Sequence, residues 1–244
     1  HFASRHLAEE LLSSVPLPIW IKKIFLTRRQ RNGYTIGDGI TKENVKTIED
    51  NFLNLLENLN NIFEKRNFIF GNRPSIADIG FSGPFFRHFA LDPVPLEIIR
   101  QKAPKVLNWV SALWNARVSK IDDDFVEGIP DDLEPLFAEI GKIYLPYLSA
   151  NVEAVRQNKI KFDFEFGNVY LKNARYSHYR VWCLKELRNR FQKLSEKHKV
   201  QVEILLKKFE CWEPLWMDDS LPLNNSQENE LPFRADTKML GVYE

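Results

Sequence analysis

The chain has 244 residues, 44% of them apolar, enough for one large core or two small ones without disulfide or metal staples. Its 34 Lys and Arg offset 33 Asp and Glu to a net charge of +1, so no global field draws nucleic acid or anionic lipid, and no nucleic-acid partner is expected. Cys183 and Cys211 lack CxxC or Cys/His ligand spacing, which argues against a disulfide framework or a metal site, and no apolar run reaches the roughly 18 residues of a membrane span; the expected setting is reducing and cytoplasmic.

In chain order, FASRHLAEELL reads as a helix with Leu7, Leu11 and Leu12 on one face, so the sequence opens within a helix and is expected to be truncated or processed at its front. Residues 17–32 place Trp20, Ile24 and Phe25 at helical spacing before Arg28, Arg29 and Arg31, with Gly33 predicted just past the end. Thr41 is the expected N-cap of a long helix carrying Val45, Ile48, Phe52, Leu55, Leu56, Leu59, Ile62 and Phe63. Phe68–Phe70, a turn at Gly71 and Asn72, and Pro74 then lead to Ser75 and Asp78, spaced as a capping box. In the helix they open, Gly80 and Gly83 would admit a neighbouring helix closely, and Pro84 predicts a kink.

Asp92, Pro93 and Pro95 are expected to break the chain before Pro104 opens a helix with Val106, Leu107, Val110, Leu113 and Trp114 on one side. The acidic run at 122–124 with Gly128 and Pro130 marks the expected boundary of a first domain, 1–120. A second region, 121–217, carries a helix over 133–148 bent at Pro146, a period-two stretch at 160–171 that predicts a hairpin, and helices near 174–195 and 199–210. Residues 218–244 turn polar and are expected to form an extended tail. The class predicted is all-α with one small hairpin.

The stretch FIFGNRPSIADIGFSGPFF, with its Ser75-x-x-Asp78 box, resembles the C-terminal helical domain of the glutathione transferase superfamily, and the helices around it fall in that family's order over about residues 1–120. The resemblance implies a helical bundle that lines the site of a small apolar electrophile, from Trp20, Ile24, Arg28 and Tyr34. It implies a homodimer or a thioredoxin-like domain as partner. Glutathione and the Tyr, Ser or Cys that activates it would belong to that thioredoxin-like half. Its signature of a Val-Pro pair leading to a strand and an acidic-Ser pair is not met by Val15 and Pro16, which lead into LPIWIKK, so no catalytic residue is assigned.

Each candidate has a plainer reading beside it. An aromatic stripe is more often core than pocket, and arginines at a helix C-terminus are favoured by the dipole without any ligand. The set Arg175, Arg180, Lys185, Arg188, Arg190 and Lys193, interleaved with Tyr176, Tyr179 and Trp182, suits nucleic-acid stacking only superficially, since those aromatics share faces with Leu and Val. His178 and His198 have no Ser or Cys at a triad-like spacing, and Cys183 reads as a small buried hydrophobe. Two functions remain open: the helical portion of a glutathione-dependent transferase, inactive alone, or a non-catalytic relative serving as a partner-binding scaffold.

Overall fold

Phe2–Leu11 (α1) and Ile19–Arg28 (α2) pack against each other in a computed structural model of the chain, which describes residues 2–120, 124–167, 169–217 and 220–223. Ala8 and Leu26 are buried. The predicted stop at Gly33 is not used: helical winding continues as a wider π-helix over Arg29–Thr35 and a 3-10 turn over Ile36–Asp38. Gly39 ends it instead, at a φ of 83° that a side chain would resist.

The long apolar period forms α3 (Val45–Phe63), which buries Leu56, Leu59, Ile62 and Phe63. Regular helix begins at Val45 rather than after Thr41, because the Thr41 N–H donates to Asn44 Oδ1 at 2.8 Å across a preceding turn. Next comes α4 (Ile76–Pro84), capped by Ser75. Pro84 has no N–H for the carbonyl one turn back, and the chain after it winds as a π-helix over Phe85–Phe89, closed by the Ala90 N–H on the Phe85 carbonyl at 2.9 Å. An ideal Cβ on Gly80 or Gly83 would meet nothing within 4 Å, so these glycines do not seat a neighbouring helix.

The expected break at Pro93 and Pro95 is a helix, α5 (Pro93–Lys102). Both prolines fall in its first turn, where the missing N–H groups have no intrahelical partner to lose. Then α6 (Pro104–Trp114) packs on α3 through Val106, Trp109 and Leu113. Trp109 is 1% exposed and stacks on Phe63 at 5.0 Å with Phe85 edge-on at 5.3 Å, whereas Trp114, placed inside by the sequence reading, is 72% exposed.

The described residues divide into two compact units, one of His1–Tyr34 and Val45–Leu136, the other of Thr35–Asn44 and Phe137–Glu244. The division falls past the acidic run because residues 124–133 are tied to the first unit. Gly71 bridges to Phe125, the Val126 N–H donates to the Phe70 carbonyl at 2.8 Å, and Arg66 holds Asp132 with two bonds of 2.9 and 2.7 Å.

The helix expected over 133–148 is Glu134–Glu139 (α7), a π-turn over Ile140–Tyr144, and α8 (Leu145–Arg156). In the second unit Gly141 sits where a Cβ would lie 1.9 Å from the Phe209 carbonyl oxygen, so only glycine fits. Strands β1 (Lys161–Phe166) and β2 (Val169–Arg175) form an antiparallel hairpin, with a register shift between Phe162 and Phe164. Asn44 holds it by donating to the Tyr170 carbonyl at 2.8 Å.

Because β2 runs to Arg175, α9 begins at His178 and ends at Gln192. Ser195 caps α10 (Glu196–Lys208), three residues earlier than expected, and a short α11 (Trp212–Trp216) follows that the sequence reading missed. Leu145, Leu148 and Val152 of α8, Val181 and Leu184 of α9, and Cys211 and Leu215 form this unit's core. The chain is thus all-helical but for one hairpin among the described residues. The acidic residues 122 and 123, Asn168 at the hairpin turn, and the expected tail beyond residue 223 lie outside them.

Candidate functional site

Helix α2 is built inside out. One residue, Leu26, is buried, while the opposite side carries Trp20 at 62% exposure, Ile24 at 47% and Phe25 at 55%. A surface helix ordinarily shows polar groups outward, so the outward apolar face makes α2 a candidate binding surface. Ile21, Ile24, Phe25, Arg28, Arg29, Asn32 and Gly33 line an open groove of about 580 Å³ along it. That volume is in the range of small-molecule sites.

The widened turn over Arg29–Thr35 matters here, because it carries Asn32 and Gly33 to the end of the groove, one turn beyond α2. Arg29 leans on Tyr34: its Nη2 donates to the phenol oxygen at 3.3 Å and its guanidinium carbon lies 5.9 Å from the ring centre. Of the four residues singled out from the sequence, Ile24 and Arg28 line the groove. Trp20 and Tyr34 are not among its lining residues, although Tyr34 touches Arg29. Lys22, on the same helix, donates to the Leu12 carbonyl at 2.7 Å. Ile21, Phe25 and Asn32 were not singled out, although with Ile24, Arg28 and Arg29 they follow the i, i+3, i+4 spacing of one helix face, which is the signal that could have found them.

The groove contains no Ser, Cys, His, Asp or Glu. It has surface to hold an apolar molecule and cationic groups to orient one, with no nucleophile and no acid or base to transform it.

Asp78 is wholly buried and is the polar centre of the first unit. Its Oδ2 accepts from the Ser75 N–H at 2.8 Å and the Ser75 hydroxyl at 2.7 Å, while Oδ1 accepts from the Ile69 N–H at 3.0 Å and Trp109 Nε1 at 2.9 Å. All donors point inward, so the carboxylate is a structural hub. Outside it, the same helix presents Ile76, 68% exposed, Ile79, 60% exposed, and the two open glycines. Residues 76–86 contain no charge other than Asp78, so the outer face of α4 is uncharged from end to end.

In the second unit no catalytic constellation forms among the described residues. Burial pushes the Cys183 thiol up despite a hydrogen bond from Tyr179 and the nearby Arg180, and it pushes Cys211 up to about 11, so both are poor thiolates at neutral pH. Ser195 Oγ does lie 3.1 Å from His198 Nδ1, a pairing the sequence reading did not anticipate, but this serine is the N-cap of α10 and the pair is exposed. On α9, Val181, Leu184 and Arg188 are buried and Trp182 stacks on Tyr179 at 5.7 Å. Among the described residues no group of three or more His, Cys, Asp or Glu could hold a metal, and no helix is long and apolar enough to cross a membrane.

Comparison with known families matches residues 23–116 to the family described as Glutathione S-transferase, C-terminal domain. Comparisons with curated proteins and with solved structures each returned no match.

Proposed function

Because residues 23–116 form a glutathione S-transferase C-terminal domain, we propose that the chain is the helical portion of a glutathione-transferase-like protein whose α2 groove holds the apolar co-substrate. Glutathione and its activating group would come from a thioredoxin-like domain. The only strands named among the described residues are the two of the antiparallel hairpin, which cannot make a thioredoxin-like sheet. The observation that supports this reading is the composition of the groove, an apolar wall with cations and no reactive side chain. The uncharged outer face of α4 suits docking of that second domain, or of a second copy in a homodimer, since a partner covering it would leave no charge unpaired.

The neutral fluorophore N-phenyl-1-naphthylamine tests the groove. The chain should bind it saturably, and Ile24→Asp, which sets a charge on the apolar wall at a half-exposed position, should weaken binding about tenfold or more. Calorimetry with glutathione should show no micromolar binding, and conjugation to 1-chloro-2,4-dinitrobenzene should not exceed the uncatalysed rate. Glutathione turnover by this chain alone, or equal probe binding by Ile24→Asp, would contradict the proposal.

A second reading, a non-catalytic protein that binds partners, draws on the α4 face instead. It requires that Ile79→Glu abolish association in sedimentation experiments while the probe binds neither form.

A further inference from the structure

The hairpin of the second unit has one closed edge and one open edge. On β2 the Tyr170 carbonyl accepts from Asn44 Nδ2 at 2.8 Å and the Lys172 N–H donates to the Gly39 carbonyl at 3.4 Å, so the segment before α3 closes that side. Tyr170 pairs with Glu165, and a Tyr170 carbonyl turned away from β1 marks this as a pair whose backbone groups face outward on both strands. Alternation then turns the N–H and C=O groups of Lys161, Asp163 and Glu165 to the far side of β1. In phase with this, the Ile160 carbonyl faces the other way and accepts from the Tyr176 N–H at 3.2 Å. Among the described residues the sheet has no third strand, and no donor or acceptor meets the outward groups of β1.

An unpaired strand edge is a template for another strand, and the charges on this one complement themselves. Phe162 and Phe164 pack on Tyr147 of α8, at 5.6 and 5.2 Å between ring centres, while Lys161, Asp163 and Glu165 are exposed. Asp163 is committed to its own hairpin, accepting from the Tyr170 hydroxyl at 2.6 Å and the Asn173 N–H at 2.7 Å. Lys161 and Glu165 meet no opposite charge among the described residues. A two-fold axis at Asp163 would set Lys161 of each copy across from Glu165 of the other. A slip towards the turn sets Asp163 against Glu165, which repels, and a slip the other way offers Lys161 only the Asp163 carboxylate that is already taken. We infer that β1 pairs antiparallel with β1 of a second copy, joining two hairpins into one four-stranded sheet. The strand has six residues, so the contact is smaller than a standard interface and the dimer is transient. This edge lies in the second unit and leaves the α4 face to the thioredoxin-like domain proposed above.

Sedimentation equilibrium of the full chain tests this by exchanging charges. The wild type should form a dimer with a Kd on the order of 0.1 mM. Glu165→Pro removes an N–H that β2 does not use, and it should weaken the dimer about tenfold or more, as should each single reversal, Lys161→Glu or Glu165→Lys. An equimolar mixture of the two reversals should associate about as well as the wild type, because each copy then meets its complement, and that recovery also reports that both are folded. Ile79→Glu, on the α4 face, should leave the association unchanged. A wild type that stays monomeric at about 1 mM overturns the inference. So does a Glu165→Pro dimer as tight as the wild type, or a mixture that associates no better than its components. Loss of the dimer in Ile79→Glu, with the edge variants unaffected, would place the second copy on α4 and overturn it equally.

Discussion

Asp78 gathers four donors on one buried carboxylate, and two of them come from outside its own helix. Asp78→Ala would strand the Ile69 and Ser75 N–H groups and Trp109 Nε1 in the core at once. A loss of about 3 to 5 kcal/mol in urea denaturation is expected, against about 0.5 to 2 kcal/mol for Ser75→Ala, which removes the cap alone. The Ser75 and Asp78 pairing could be read in advance because it is local, three residues apart. The Trp109 bond could not, since it spans 31 residues and depends on how α6 lies on α3. The same blindness misplaced Trp114: the two tryptophans lie on different sides of α6, and how that helix is rotated against α3 decides which is core.

Cys211 makes a residue-scale prediction about pH. Its folded value is raised to about 11 by burial, so the native state keeps a proton that the unfolded chain gives up near its ordinary value of about 8.5. Stability should therefore be unaffected by this group at neutral pH and decline as pH climbs from about 8.5 towards 11. Cys211→Ala should flatten that alkaline decline in thermal melts. At pH 8, iodoacetamide should label the partly exposed Cys183 well before Cys211.

At the scale of elements, two joints carry most of what the sequence pattern did not reveal. Periodicity located α3, α6 and the hairpin, because each buries a regular face. It said nothing about where a helix widens, and the π-turns over Arg29–Thr35, Phe85–Phe89 and Ile140–Tyr144 shift every later side chain around the axis. The first of these turns continues the helical winding past the predicted stop, and so puts Gly33 in the groove lining rather than beyond the end of the helix. In the third of these turns Gly141 packs against the Phe209 carbonyl, and Gly141→Ala should cost about 1 to 3 kcal/mol, measured by thermal unfolding, since backbone rather than a flexible side chain must yield.

The second joint is Arg66 with Asp132, which fastens the segment before α7 to the end of α3; both side chains are at least nine-tenths buried, at 7% and 9% exposure. The Arg66 guanidinium, helped by Lys65, holds the Asp132 carboxyl below its ordinary range. A depressed carboxylate stabilises the fold above its unfolded value of about 4, and the contribution disappears as pH falls through the folded value. The urea midpoint should accordingly drop on acidification below about pH 4. Asp132→Asn, which leaves Arg66 buried without its charged partner, should lower the unfolding free energy at neutral pH by about 3 to 5 kcal/mol and blunt the acid dependence.

For the whole molecule, the helical class and the likeness of residues 23–116 to a glutathione S-transferase C-terminal domain were readable from one cap motif and the order of helices. The composition was a poor guide to function, because a net charge of +1 averages over a strongly basic α2 region and acidic stretches elsewhere. The site's chemistry depends on that local imbalance and on which face of α2 turns outward. Neither is a property of the total.

Hydrogen exchange followed by mass spectrometry, with and without saturating N-phenyl-1-naphthylamine, tests the central claim most directly, that the α2 groove is where this glutathione-transferase-type domain receives its ligand. Added protection concentrated in peptides covering residues 19–35, with little change over 137–217, is the predicted result. Protection centred on α8 to α11, or none anywhere at saturation, would contradict it.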